Sequence, residues 1–176
     1  VLYNYICKKT VNKNNIMLSI FILLVFTFFS WLYFQVFSHR GAYMQIGSML
    51  GTIMVANVLM IIIPGQKKVV QSLLENKKPD SIHGITAKQR SLHNNYLTLP
   101  VIFIMISNHY PTIYATDYSW IIISLIIITG ALIRQFFNVK HSGKKPPYFL
   151  WVPVIMIILF SVYLSDLSSY KWLLLF

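Results

Sequence analysis

The chain has 176 residues, of which 56% are hydrophobic and 11% charged, with fifteen Lys and Arg against four Asp and Glu for a formal net charge of +11. Soluble domains carry about 25% charged residues, so this composition excludes a disordered chain and argues against a water-soluble globule; a basic excess in so apolar a chain belongs with a membrane, not with nucleic acid. The single cysteine, Cys7, excludes an internal disulfide and any Cys-x-x-Cys site, a c-type haem attachment included.

A helix needs about 20 mainly apolar residues to cross a hydrocarbon core of about 30 Å. In lipid its backbone polar groups must be satisfied internally. Five stretches meet or approach that condition, and they predict an all-α polytopic transmembrane helix bundle with spans near 16–38, 41–65, 93–110, 118–138 and 147–166. Asn14 to Ser38 and Gly41 to Gln66 contain no Lys, Arg, Asp or Glu. The third span is strongly apolar only from Leu97 to Ser107, and the fourth carries Arg134 near its end. Runs such as Ile121-Ile122-Ile123 do not alternate, so a β-barrel is excluded. Between the second and third spans, a loop over 66–91 opens at Pro64-Gly65. Its Val69, Val70, Leu73 and Leu74 recur at helical spacing among lysines, which predicts a short amphipathic helix on the membrane face, ended by Pro79-Asp80 and Gly84.

Five crossings gather thirteen of the fifteen basic residues on one side, with Arg40 and Lys171 on the other. The positive-inside rule makes the richer side cytoplasmic, placing the N-terminus in and the C-terminus out, towards the periplasm or exterior. The chain opens at Val1, and its first apolar run is too long for a signal peptide, so a fragment of a larger protein is expected.

The residues able to carry chemistry are few. In this topology His39 and His109 lie near the outer surface, and His83, His93 and His141 near the inner one. Imidazoles at helix ends suit haem iron, or simply the headgroup zone. His93 and His109 are sixteen residues apart, about 24 Å along one helix, so each needs a partner from another: His39 with His109, and His93 with His141. The polar run His93-Asn94-Asn95-Tyr96 supplies amide donors and acceptors suited to a heterocycle with alternating N–H and C=O groups, or else caps and anchors a helix end. Arg134 either snorkels to the interface or holds an anion. Gln45 and Asn57 are further polar residues in the second span, beside the Gly47-x-x-x-Gly51 element that lets helices approach. Glu75, Asp80, Asp117 and Asp166 are scattered, and no paired-carboxylate catalyst forms.

Three blocks resemble a known family. The first is Ala87-Lys88-Gln89-Arg90-Ser91-Leu92-His93-Asn94-Asn95-Tyr96-Leu97-Thr98-Leu99-Pro100-Val101, continuing to Met105-Ile106-Ser107-Asn108-His109-Tyr110-Pro111. The second is Gly47-Ser48-Met49-Leu50-Gly51-Thr52-Ile53-Met54-Val55-Ala56-Asn57-Val58 with Ile63-Pro64-Gly65-Gln66-Lys67-Lys68-Val69-Val70, and the third Leu132-Ile133-Arg134-Gln135-Phe136-Phe137-Asn138 with His141. Together they cover about Arg40 to Lys145 and are similar to the bacterial membrane-bound urate oxidases, or urate hydroxylases. The resemblance implies oxidation of urate to 5-hydroxyisourate, with electrons passing to a C-terminal cytochrome c domain, and so a role in purine catabolism. Members of that family carry further membrane helices upstream, and no Cys-x-x-Cys-His occurs here, so the chain resembles the C-terminal half of the membrane domain, with c-type haem only in a missing domain.

Side chains here store no electrons, so a redox group must carry them, and haem b is the expected one. In that reading His39 and His109 are outer iron ligands. His93, Asn94, Asn95 and Arg134 line an inner pocket for urate or, with His141, a second haem. The competing readings are a non-catalytic membrane anchor or assembly subunit, and a purine-anion transporter using Arg134 and Asn57. The partners expected are the lipid bilayer, urate and a cytochrome c, with no nucleic acid.

Overall fold

A computed structural model of the chain describes residues 2–10, 15–114 and 116–173, and every regular element among them is helical. In chain order these are α1 (Leu2–Thr10), α2 (Asn15–Val36), α3 (His39–Asn57), a π-helical turn (Val58–Ile62), α4 (Ile63–Leu74), α5 (Ser81–Ser107), α6 (Pro111–Tyr114), α7 (Ser119–His141), a 3-10 turn (Tyr148–Leu150) and α8 (Trp151–Leu173). Three helical runs are long and apolar enough to cross a membrane: His39–Leu74, Ser119–His141 and Tyr148–Asp166. They contain the expected second, fourth and fifth spans. The described apolar part of the first, Ile20–Val36, is shorter. The third lies inside α5, whose 27 residues suffice in length but whose first half carries Lys88, Arg90 and the His93-Asn94-Asn95 run. Val152, Ile155, Met156, Leu159 and Phe160 are all exposed on α8, the surface a lipid-facing helix presents.

Two expected breaks are not breaks. The helix runs through Pro64-Gly65 without interruption, so that His39–Leu74 is one rod of 36 residues, about 54 Å long at 1.5 Å per residue. A proline in a helix clashes with the carbonyl four residues back and removes a donor. The π turn immediately before Pro64 widens the spiral: the Ile63 N–H bonds the Val58 carbonyl, five residues back, and the ring is accommodated. Gly84 likewise lies inside α5. The loop expected over 66–91 contracts to 75–80, where Asn76 takes φ +54°. Asp80 then caps α5, its Oδ1 accepting the Ile82 N–H at 2.9 Å.

The described chain divides into two compact units, Val1–Ile22 with Gly51–Asn95, and Leu23–Leu50 with Tyr96–Phe176. In the first, α4 and α5 approach closely where Gly65 meets the His83 carbonyl, and the interior holds Cys7, Asn57, Ala87 and Arg90. In the second, α7 packs on α8, and Phe136 on α7 meets Tyr148 and Trp151 edge-on, each at a centroid distance of 5.5 Å. Gly130 on α7 lies against the Pro100 ring inside α5, and Gly47 on α3 against Ile104. Of the Gly-x-x-x-Gly pair, then, Gly47 makes a close helix contact and Gly51 has open space beside it. The buried Tyr43 hydroxyl donates to the Ile113 carbonyl at 3.3 Å and ties α3 to the α6 segment.

Candidate functional site

The first unit gathers its polar side chains from three helices, each at the i, i+3, i+4 spacing that puts residues on one face. Tyr3, Asn4 and Cys7 come from α1, Met54 and Asn57 from the end of α3, and Arg90, His93 and Asn94 from α5. Asn57, buried at the start of the π turn, donates through Nδ2 to the Tyr3 hydroxyl at 3.1 Å and to Asn94 Oδ1 at 2.8 Å. Asn94 Nδ2 donates to the Met54 carbonyl at 2.9 Å, which fixes both amides. The Tyr3 hydroxyl lies 2.7 Å from His93 Nδ1, and Cys7 Sγ is 3.9 Å from the same nitrogen. Burial pushes the Tyr3 phenol above its usual range, against the opposing hydrogen bond from Asn57. The hydroxyl therefore keeps its proton; it accepts from Asn57 and shares a hydrogen bond with His93 Nδ1. That engages Nδ1 and leaves Nε2 as the open position of the ring. Burial also pushes the Cys7 thiol up, so it remains a thiol.

Arg90 is the largest fully buried side chain among the described residues. Its guanidinium lies 5.0 Å from the centroid of the Tyr3 ring. Nη2 donates to Asn4 Oδ1 at 2.8 Å and to the Asn4 carbonyl at 3.3 Å. Nε and Nη1 are buried without a hydrogen-bond partner. Each unsatisfied buried donor costs about 1–3 kcal/mol, more on a charged group, so the arrangement is one that a ligand improves.

These residues form a hydrogen-bonded polar cluster that carries one buried positive charge. The family described as urate oxidase N-terminal matches residues 1–165. The chain belongs to this family. No curated protein and no solved structure matches it. The urate oxidase match takes in α1 and α2 as well as the region from Arg40 to Lys145 that carries the sequence resemblance. Tyr3, Asn4 and Cys7 thus lie inside the family's own region.

Of the residues singled out in the sequence, the structure brings His93, Asn94 and Asn57 together in the first unit. Asn95 is half-buried in the same unit. Arg134 is half-buried in the second unit, next to Gln135, whose Oε1 accepts from the Tyr96 hydroxyl. His39, His109 and His141 also belong to the second unit. The His39 ring packs on Phe34 at 5.6 Å, and His109 is exposed. His141 donates from Nδ1 to the Phe137 carbonyl at 2.7 Å, leaving Nε2 open. No group of three or more His, Cys, Asp or Glu converges among the described residues. Each of these imidazoles keeps a ring nitrogen not spent on another group of the described chain.

Tyr3, Asn4, Cys7 and Arg90 were not foreseen as site residues. Reading 66–91 as a loop removed Arg90 from helical phase and counted it with the surface charge. The signal was present in the 90, 93, 94 spacing.

Proposed function

We propose that this chain is membrane-embedded machinery of a urate-oxidising oxidoreductase in purine catabolism. In the proposed reaction urate and water give 5-hydroxyisourate, two protons and two electrons. The observation that carries the proposal is the half-buried hydrogen-bonded set Asn57–Tyr3–His93 with Asn94, in a chain of the urate oxidase family. Urate presents ring N–H donors and carbonyl acceptors around its rim. Asn94 and Asn95 are the amides proposed to meet those groups, Asn57 holds Asn94 in place, and His93 Nε2 is the group available to hold or move a proton. Arg134, half-buried on α7, is a candidate anion-binding residue of the second unit.

In this proposal a bound haem b would be held by His39 and His109, with His141 available to a second, and would pass electrons towards a cytochrome c. When bound, haem supplies one-electron transfer. The sidedness follows the basic residues: N-terminus in the cytoplasm, C-terminus outside, in the inner membrane of a bacterium.

The test is urate-dependent reduction of added cytochrome c by purified membranes containing the chain. Reduction, a b-type haem absorbance and their loss in His109→Ala are expected. A colourless protein that moves labelled urate across the membrane without oxidising it establishes a transporter instead. A protein that does neither is an anchor.

A further inference from the structure

The first unit contains only two carboxylates, and both are spent. Glu75 accepts from Lys77 at 2.9 Å and from Gln71 at 3.2 Å. Asp80 caps α5. Arg90, fully buried on α5, therefore has no counter-charge from its own unit. A guanidinium carries five N–H donors. Asn4 takes the two on Nη2, and the three on Nε and Nη1 are buried without a partner. One residue earlier, Gln89 Oε1 is a buried acceptor, also without a partner. The Tyr3 ring lies against the guanidinium, so the unspent capacity is at its N–H edges. A purely structural arginine is paired with a carboxylate or spends its donors on carbonyls; this one is held by one neutral amide residue and one ring. Among the described residues, a buried cation with spare donors is complementary to a ligand that is itself anionic.

We propose that Arg90 is the anion anchor of the first-unit site, binding a delocalised, planar monoanion through its Nε and Nη1 donors while Asn4 and Tyr3 hold it in place. That the natural anion is urate, a monoanion at neutral pH, rests on the function proposed above. The anion site itself stands on Arg90 alone.

The experiment uses the full chain purified in detergent at pH 7, with nitrate and urate as probes, read by melting temperature and by equilibrium dialysis of labelled urate. Wild type shows saturable stabilisation by both probes. Arg90→Lys keeps the charge but loses the planar fork, and affinity for both falls at least tenfold. Asn4→Asp places a carboxylate on the guanidinium. This variant folds with its counter-charge built in, melts higher than wild type without added anion, and binds either probe at least tenfold more weakly. If nitrate behaves in this way and urate has no effect, the anion site stands and the urate reading fails. If urate binds equally to wild type and both variants, the urate reading survives and Arg90 is not its anchor. Absence of any saturable anion effect in wild type overturns the proposal outright.

Discussion

Gly130 on α7 is the position where a single methyl group has the clearest consequence. A Cβ built there lies 2.6 Å from Pro100 Cδ, 2.8 Å from Cγ and 3.2 Å from the backbone nitrogen. Those atoms belong to a rigid ring fused to the α5 backbone, so neither a rotamer change nor a side-chain swing relieves the contact, and the helices must separate. Forcing a methyl into a filled contact costs about 1–3 kcal/mol. Against that, Gly→Ala inside a helix returns about 0.5–1 kcal/mol of propensity. The net for Gly130→Ala is a loss of about 0.5–2 kcal/mol. Gly51→Ala is the internal control, because nothing lies within 4 Å of its Cβ position; it keeps the propensity gain and melts slightly higher. Gly47→Ala meets the side chains of Ile104, at 3.0 Å, and Met105, at 3.6 Å, and falls between the two. Thermal unfolding of the three variants in one detergent measures the order. Adding Pro100→Ala to Gly130→Ala removes the clashing ring atoms and restores stability beyond additivity. A Gly130→Ala protein as stable as wild type, or a Pro100 change that does nothing for it, refutes the close contact between α5 and α7.

Two further expectations follow from burial and backbone geometry. The buried Cys7 thiol, with its pKa raised by burial, reacts slowly with maleimide at neutral pH and rapidly once the chain is unfolded. Its folded pKa lies above the unfolded one, so stability falls as pH rises through and beyond the ordinary thiol range, and Cys7→Ser flattens that decline in a melt series. Gly143, just past the end of α7, has φ +74° with open space around it, so Gly143→Ala incurs only the left-handed backbone cost, about 1–2 kcal/mol, measurable in the same melts.

The helices were legible because lipid imposes long apolar runs, and those runs appear in the chain order the sequence implies. Their ends were less legible. Pro64 reads as a terminator to any local rule, yet the π turn at Val58–Ile62 absorbs it, and a register shift of that kind has no signature in residue type. The same misplaced boundary hid Arg90: assigned to a loop it is one more cytoplasmic charge, whereas in phase with His93 and Asn94 it faces inward. The His93-Asn94 run stood out because four polar residues together exceed what a helix entrance requires. Tyr3 and Cys7 gave no such signal, since their importance comes from contacts with residues some ninety positions away. The candidate outer imidazoles, His39 and His109, were legible as donor types, but one ring lies against Phe34 and the other is exposed, so their role depends on what binds between or beside them.

Tyr3 joins the two halves of the first-unit site, and its two functions are separable. Its ring supports the Arg90 guanidinium at 5.0 Å, while its hydroxyl accepts from Asn57 and bonds His93. Tyr3→Phe retains the ring contact and deletes the hydroxyl, leaving His93 Nδ1 and Asn57 Nδ2 without their partner, at about 1–3 kcal/mol of stability. Tyr3→Leu deletes both and forfeits in addition about 0.5–2 kcal/mol of cation–π attraction. If Arg90 anchors the anion and His93 handles the proton, the two changes separate in kinetics. Tyr3→Phe keeps urate affinity and slows turnover, because only the orientation of His93 is lost. Tyr3→Leu weakens affinity as well, because the guanidinium loses its platform. Urate binding by dialysis, set beside the rate of cytochrome c reduction, reads the two separately. Equal effects of both substitutions on affinity and on rate refute this division, since the ring and the hydroxyl would then act as one structural unit with no separate part in the site.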